Sequence, residues 1–133
     1  MNKVSYTTAS NIATSPGIVS IVIPIYGALH LVKKCIESVF QHTYWPYELI
    51  LVDDCSPDDA VRDYLKSLEG RQNESNKCVS LKIIFNKKNK GFAPTCNVGM
   101  RAGTGKYFCV LNSDVLVTPY WLTKMVIAIE ADK

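Results

Sequence analysis

Four short aliphatic runs, each followed by a stretch of helical period, constrain this chain more than any other feature of its sequence. Residues 18–25 are nearly continuous in Ile and Val, the pattern of a strand covered on both faces. Leu29, Val32, Ile36, Val39 and Phe40 then recur three and four apart, with Lys33, Lys34 and Glu37 between them. A second buried strand is expected over 47–52. After it, Ser56 as N-cap, Pro57 at the first helical position and Asp59 in a capping box predict a helix that buries Val61, Tyr64, Leu65 and Leu68 and ends at Gly70. Residues 71–77 read as a polar loop and 81–85 as a third strand. Residues 91–102 read as a helix with Pro94 in its first turn, and Gly99 and Gly103 would let a backbone approach closely. A fourth strand is expected over 107–111. Thr118 and Pro119 should then start a helix with Leu122, Met125, Val126 and Ile129 on one face. Alternation of this kind implies an α/β fold, a Rossmann-like three-layer α/β/α sandwich with a mostly parallel sheet, because right-handed crossovers put helices on both faces.

Composition narrows the function classes. With 47% hydrophobic and 20% charged residues the 133-residue chain is globular, and a net charge of +3 is too mild to predict nucleic-acid binding. The lysines between 82 and 90 read as a solvated loop. Five cysteines form no CxxC pair and no Cys/His cluster, which supports neither zinc nor a disulfide framework and fits a reducing, cytoplasmic setting. Residues 1–17 read as a flexible polar leader without the apolar core of a signal peptide, ahead of one domain over 18–133. No run approaches the ~18 apolar residues of a transmembrane segment.

In open sheets of this kind ligands bind beyond the carboxyl ends of the strands. Four polar clusters fall there: Pro24 to Gly27, Asp53 to Ser56, Asn86 to Gly91, and Asn112-Ser113-Asp114. Turns and caps favour the same residue types, so it is their coincidence at every strand end that points to a site. Asp53 and Asp54 would repel each other without donors or a cation nearby, although one of them could cap a turn. Asn112, Ser113 and Asp114 offer hard oxygens to Mg²⁺ or Mn²⁺ if a phosphate completes the shell, or they form an Asx-type turn. Tyr26 presents either a flat face to a base or plain packing.

The stretches VSIVIPIYG (19–27), ELILVDDCSPDD (48–59), NKGFAPTCNVGMRAGTGKYFCVLNSD (89–114) and TPYWLTKMV (118–126) resemble the nucleotide-binding subdomain of family 2 glycosyltransferases of the GT-A fold. The resemblance implies that Pro24 and Tyr26 lie around the nucleotide base and that Asp54 accepts from the base ring N–H, with Asp53 its structural partner. It places Gly91 and Asn97 in the segment lining the nucleotide. Asn112-Ser113-Asp114 takes the place of the Asp-x-Asp motif, Asp114 being the ligand to Mn²⁺ or Mg²⁺ and Ser113 or Asn112 facing the ribose. Two departures stand out: Asn112 replaces the first Asp, and Cys96 stands where many members have arginine.

The activity that the resemblance implies is metal-assisted transfer from a nucleoside-diphosphate sugar, UDP- or dTDP-linked, to a glycan or lipid-linked acceptor, with inversion. It also implies cytoplasmic location, with membrane association in a full-length protein. The family's general base lies well beyond the Asp-x-Asp strand, so no catalytic base is assigned and the chain alone is expected to be inactive. A non-catalytic nucleotide-binding module is the alternative. A sugar-1-phosphate nucleotidyltransferase would need a Gly-rich basic loop after the first strand, where Pro-Ile-Tyr-Gly-Ala stands instead. A receiver domain would carry its acidic pair after the first strand, not the second, and a dinucleotide fold would show GxGxxG.

Overall fold

The computed structural model describes residues 17–132, so the expected leader lies outside the described residues apart from Gly17. Along the chain run β1 (Val19–Ile25), α1 (Leu29–His42), β2 (Tyr47–Asp53), α2 (Asp59–Ser67), a 3₁₀ turn (Arg71–Glu74), β3 (Cys78–Phe85), α3 (Phe92–Ala102), β4 (Tyr107–Val110) and α4 (Trp121–Ala131). The sheet order is β3-β2-β1-β4, with every pairing parallel. This is the α/β sandwich that the alternation of periods predicts.

Every residue of β1 and β2 is buried, which is why both read as unbroken aliphatic runs rather than alternating ones. Val19, Ile21, Ile23 and Ile25 share one core with Val32, Ile36 and Val39 of α1, Val61 and Leu65 of α2, and Leu122 and Val126 of α4. Val22, Ile50 and Val52 point the other way and meet Val98, Met100 and Ala102 of α3. Helix α3 sits close because Gly99 has no side chain: a Cβ there would stand 2.4 Å from Val22 Cγ1 and 3.1 Å from a methyl of Val52. Gly99→Ala should therefore lower stability by about 1–3 kcal/mol, the usual cost of overpacking. A urea midpoint equal to wild type would show that α3 can retreat without loss.

Several boundaries differ from expectation, each for a tertiary reason. Strand β3 begins at Cys78 because it pairs along the whole of β2, from Tyr47↔Cys78 to Asp53↔Phe85. The loop expected over 71–77 contains the 3₁₀ turn, where Arg71 is held by Glu37 and Glu74. Helix α2 is capped by Asp58, whose carboxylate accepts from the Ala60 N–H, and not by Ser56. Helix α4 starts after Tyr120, not at Pro119, since Val117 N–H is bonded to Ser38 Oγ and the Trp121 indole to Thr43 Oγ1. Of the four apolar residues expected to face the core from α4, Leu122 and Val126 are buried while Met125 and Ile129 stay exposed. Lys82 belongs to β3 and not to the lysine loop; its Nζ lies 3.3 Å from the Glu48 carboxylate.

Glu48 anchors the end of the sheet away from the strand-end clusters. Its side chain is almost fully buried, and it accepts from Ser20 Oγ at 2.6 Å and from the Thr104 backbone N–H. Ser20 Oγ in turn accepts from Gly105 N–H at 2.8 Å, so one carboxylate ties β1, β2 and the turn before β4 together. Burial would push the Glu48 carboxyl up, but the bonds from Ser20, Thr104 and Lys82 outweigh it and hold it below its ordinary value. No helix among the described residues is long and apolar enough to cross a membrane.

Candidate functional site

The strand order reverses direction at β1, and the crevice between β1 and β4 is where such a sheet opens. Pro24 makes that opening. Strand β4 pairs only as far as Val22↔Val110, and Leu111 N–H reaches Val22 O at 2.9 Å. In a parallel ladder the next donor on that side of β1 would be residue 24, and proline has no N–H. The two strands part there. On the other side, pairing continues past the strand ends through Asp54 N–H to Ile25 O and Asn86 N–H to Asp53 O, both 2.8 Å.

A cavity of about 420 Å³ occupies the gap, within the range of small-ligand sites. Its wall includes Pro24, Tyr26, Asp54, Gly91, Asn112, Ser113 and Asp114, so seven of the eight sequence candidates meet in one place. The eighth, Asn97, is exposed on α3 and is not part of this wall; Cys96 beside it is turned into the protein. The cavity also takes in Leu31, Asn89, Phe92 and Thr95, which sequence reasoning did not single out. Phe92 is 60% exposed and Tyr26 55%, two aromatic rings left open at one cleft. The signal for Phe92 was its place directly after Gly91, at a helix start facing the strand ends.

Asp54 is the most heavily bonded group in the cleft. It is 5% exposed, and its Oδ1 accepts from the Asn86 amide at 2.9 Å and from Lys90 N–H at 2.8 Å. Its Oδ2 accepts from Gly91 N–H at 2.9 Å. Gly91 turns that N–H inward with φ of 93° and ψ of 171°, a conformation essentially restricted to glycine. Burial would raise the Asp54 carboxyl, but these donors, with Thr95, hold it below the usual carboxylate range. Asp54 is therefore an anion at neutral pH.

Asp53, next to it, is fully buried and faces another way: its carboxylate takes both Ser56 Oγ and Ser56 N–H. The adjacent acids avoid repulsion by dividing their partners between two loops. Ser56, the expected helix cap, is engaged by Asp53 instead.

On the β4 side, Val115 N–H bonds to Asn112 O at 3.2 Å, so residues 112–115 do form a turn while also lining the cleft. Beneath them Cys35 of α1 sends its thiol towards Asn112 O at 3.6 Å, and burial pushes that thiol up to about 11, so it stays neutral. Asp114 is exposed at the mouth. Among the described residues no three His, Cys, Asp or Glu side chains are grouped to hold a metal ion by themselves. The donors present are hard oxygens, which fit a hard cation only when ligand phosphates share it. Lys87, Lys88 and Lys90 are exposed beside Asn89 at the rim.

Fold and site together define an α/β domain with an acid-lined cleft at its topological switch point. The model of glycosyl transferase family 2 matches residues 20–133, and the chain belongs to that family, with the GT-A fold. An uncharacterised glycosyltransferase of Haemophilus influenzae is 31% identical over 115 residues, covering 85% of this chain and 33% of that protein. The UDP-Glc:alpha-D-GlcNAc-diphosphoundecaprenol beta-1,3-glucosyltransferase WfgD of Escherichia coli is 31% identical over 97 residues, or 73% of this chain and 35% of that one. Among solved structures, the mannosyltransferase PcManGT of Pyrobaculum calidifontis, in complex with GDP-Man and Mn²⁺, superposes with a TM-score of 0.72 at 18% identity, covering 88% of this chain and 32% of its own. The chain thus spans about a third of the length of these proteins.

Proposed function

We propose that residues 18–133 form the donor-binding part of a glycosyltransferase that moves a hexosyl or deoxyhexosyl group from a UDP- or dTDP-linked sugar to a glycan or lipid-linked acceptor, with inversion. The observation that carries this reading is the bonding of Asp54. Donors from Asn86, Lys90, Gly91 and Thr95 hold it ionised in the cleft wall, where it presents an anionic acceptor edge to a base ring N–H such as that of uracil or thymine.

Tyr26 and Phe92 supply flat faces for the base, and Asn112 and Ser113 polar groups for the ribose. Asp114 would hold Mn²⁺ or Mg²⁺ jointly with the diphosphate, an ion that when bound offsets the charge on the leaving group. The three rim lysines add a positive field that favours a diphosphate's approach. Free cysteines and the lipid-linked substrate in the WfgD name support a cytoplasmic enzyme working at a membrane.

The cleft offers two carboxylates, one saturated by donors and one facing the cation position, and neither is spare to act as general base. We therefore expect no sugar transfer by residues 1–133 alone. The same observation favours the second reading, a non-catalytic nucleotide-binding module of a larger protein; an acid placed on the acceptor side of the full-length protein would decide for the enzyme.

Calorimetry of the chain with UDP, dTDP and GDP, with and without Mn²⁺, tests the donor site. UDP or dTDP should bind more tightly with Mn²⁺ present, and Asp114→Ala should remove that gain, about tenfold or more in Kd, or roughly 1.4 kcal/mol. Failure of every nucleotide to bind would end the donor-site reading. A preference for GDP would end only the assignment of the base.

A further inference from the structure

We infer that Ser56 is a positioning residue for the nucleotide cleft, acting through Gly27 and never touching the ligand; the inference rests on the donor-site reading. Residues 26–28 form one wall of the cleft, with Tyr26 and Ala28 lining it. Within it the backbone of Ala28 is held in an unfavourable shape. Gly27 has φ of +66° and Ala28, directly after it, +54°. A left-handed conformation crowds the Cβ of a non-glycine residue and persists only where its surroundings enforce it. Ala28 also starts α1 with no side-chain cap to help it.

The enforcing contact is a two-bond relay to the end of β2. Gly27 N–H donates to Ser56 Oγ at 2.8 Å, and Ser56 Oγ donates to Asp53 Oδ1 at 2.5 Å. The Ser56 N–H closes the same turn onto Asp53 Oδ2 at 3.3 Å. Asp53 is wholly buried and paired in the sheet with Ile25, so the relay is anchored to the most rigid part of the fold. One hydroxyl must both accept and donate here. Serine and threonine can do this; alanine can do neither.

The adjacent acids at the end of β2 thus share one task. Asp54 fixes the Lys90–Gly91 wall of the cleft, and Asp53 fixes the Tyr26–Ala28 wall through Ser56. Neither Ser56 nor Asp53 lines the cavity, so a change at Ser56 alters ligand affinity only by releasing the wall.

Amide hydrogen exchange on the wild-type chain, with calorimetry of UDP and Mn²⁺ on Ser56→Ala and Ser56→Thr, tests the relay. The Gly27 amide should be protected in wild type. In folded Ser56→Ala it should exchange about tenfold faster or more, with UDP affinity falling about tenfold, while β1 and α1 keep their protection. Ser56→Thr should restore both readings to within about threefold of wild type, a rescue that general destabilisation would not give. Wild-type-like UDP affinity in folded Ser56→Ala overturns the inference, as does a wild-type Gly27 amide exchanging at the rate of an open loop. Should Ser56→Ala not fold, the wild-type exchange and the Ser56→Thr affinity still decide. A wild-type chain that binds no nucleotide while Gly27 is protected sinks the donor-site reading and leaves the relay standing.

Discussion

Asp54→Ala should abolish nucleotide binding and cost about 2–4 kcal/mol of stability, because it strips neutral donors of their acceptor. The loss has two parts. On the donor-site reading the ligand loses the anionic acceptor in the cleft wall, and the Asn86 amide and the N–H groups of Lys90 and Gly91 lose theirs. Buried donors left without partners carry the larger share, at about 1–3 kcal/mol each where water cannot reach them. Asp54→Asn separates the parts: it keeps one acceptor oxygen but turns an NH₂ towards existing donors, so it should be less destabilising and still not bind. Urea denaturation with calorimetry checks both variants, and Asp54→Ala binding UDP at wild-type affinity would remove Asp54 from the site.

Glu48→Ala should cost about 3 kcal/mol although it lies at the opposite end of the sheet from the cleft. Lys82 is about a third exposed, so water screens much of that pairing. Most of the effect comes from the Ser20 hydroxyl and the Thr104 N–H, which lose their acceptor. The pH dependence has a definite sign. Glu48 and Asp54 both have folded pKa values below those of the unfolded chain. Their contributions are therefore fully present above the unfolded carboxyl value of about 4 and fade as pH falls through the lower folded values. Stability from pH 7 down to 3 should fall less steeply in Glu48→Gln than in wild type. Parallel curves would show that Glu48 titrates alike in both states.

The fold was legible because burial on both faces leaves a continuous aliphatic run, and β1 and β2 have such faces along their whole length. Element starts were less legible. Ser56-Pro57 carries a good local cap signal, but Asp53 and Gly27, close in space, claim the serine. Thr118-Pro119 carries another, overridden by bonds to Ser38 and Thr43 on the α1 side. Local chemistry proposes a helix start, and tertiary partners dispose of it.

At the site, residues directly at strand ends were readable because the topology dictates where strand ends go. Phe92 and Leu31 were not, since their part in the wall depends on how α3 and α1 are oriented. Nor did the sequence reveal that Pro24 matters through its missing N–H, because that needs the β1–β4 register. Asn97 came from the resemblance alone, and its exposed place on α3 lies apart from the cleft wall.

The strand order carries a temporal consequence. Strand β1 emerges from a ribosome before either of its neighbours, and β4 follows only after three helices and two strands; Ser20 meets Gly105, 85 positions later. Closing so long a loop is entropically slow, so the β3-β2-β1 half can settle before β4 arrives. The side of the cleft fixed by Asp53 and Asp54 belongs to the early half. The opposite side, residues 112–114, comes with the late strand. If the donor-site reading holds, a nascent chain would hold the Asp54 wall before it holds the 112–114 wall, and commitment to the ligand would wait for the last strand to dock.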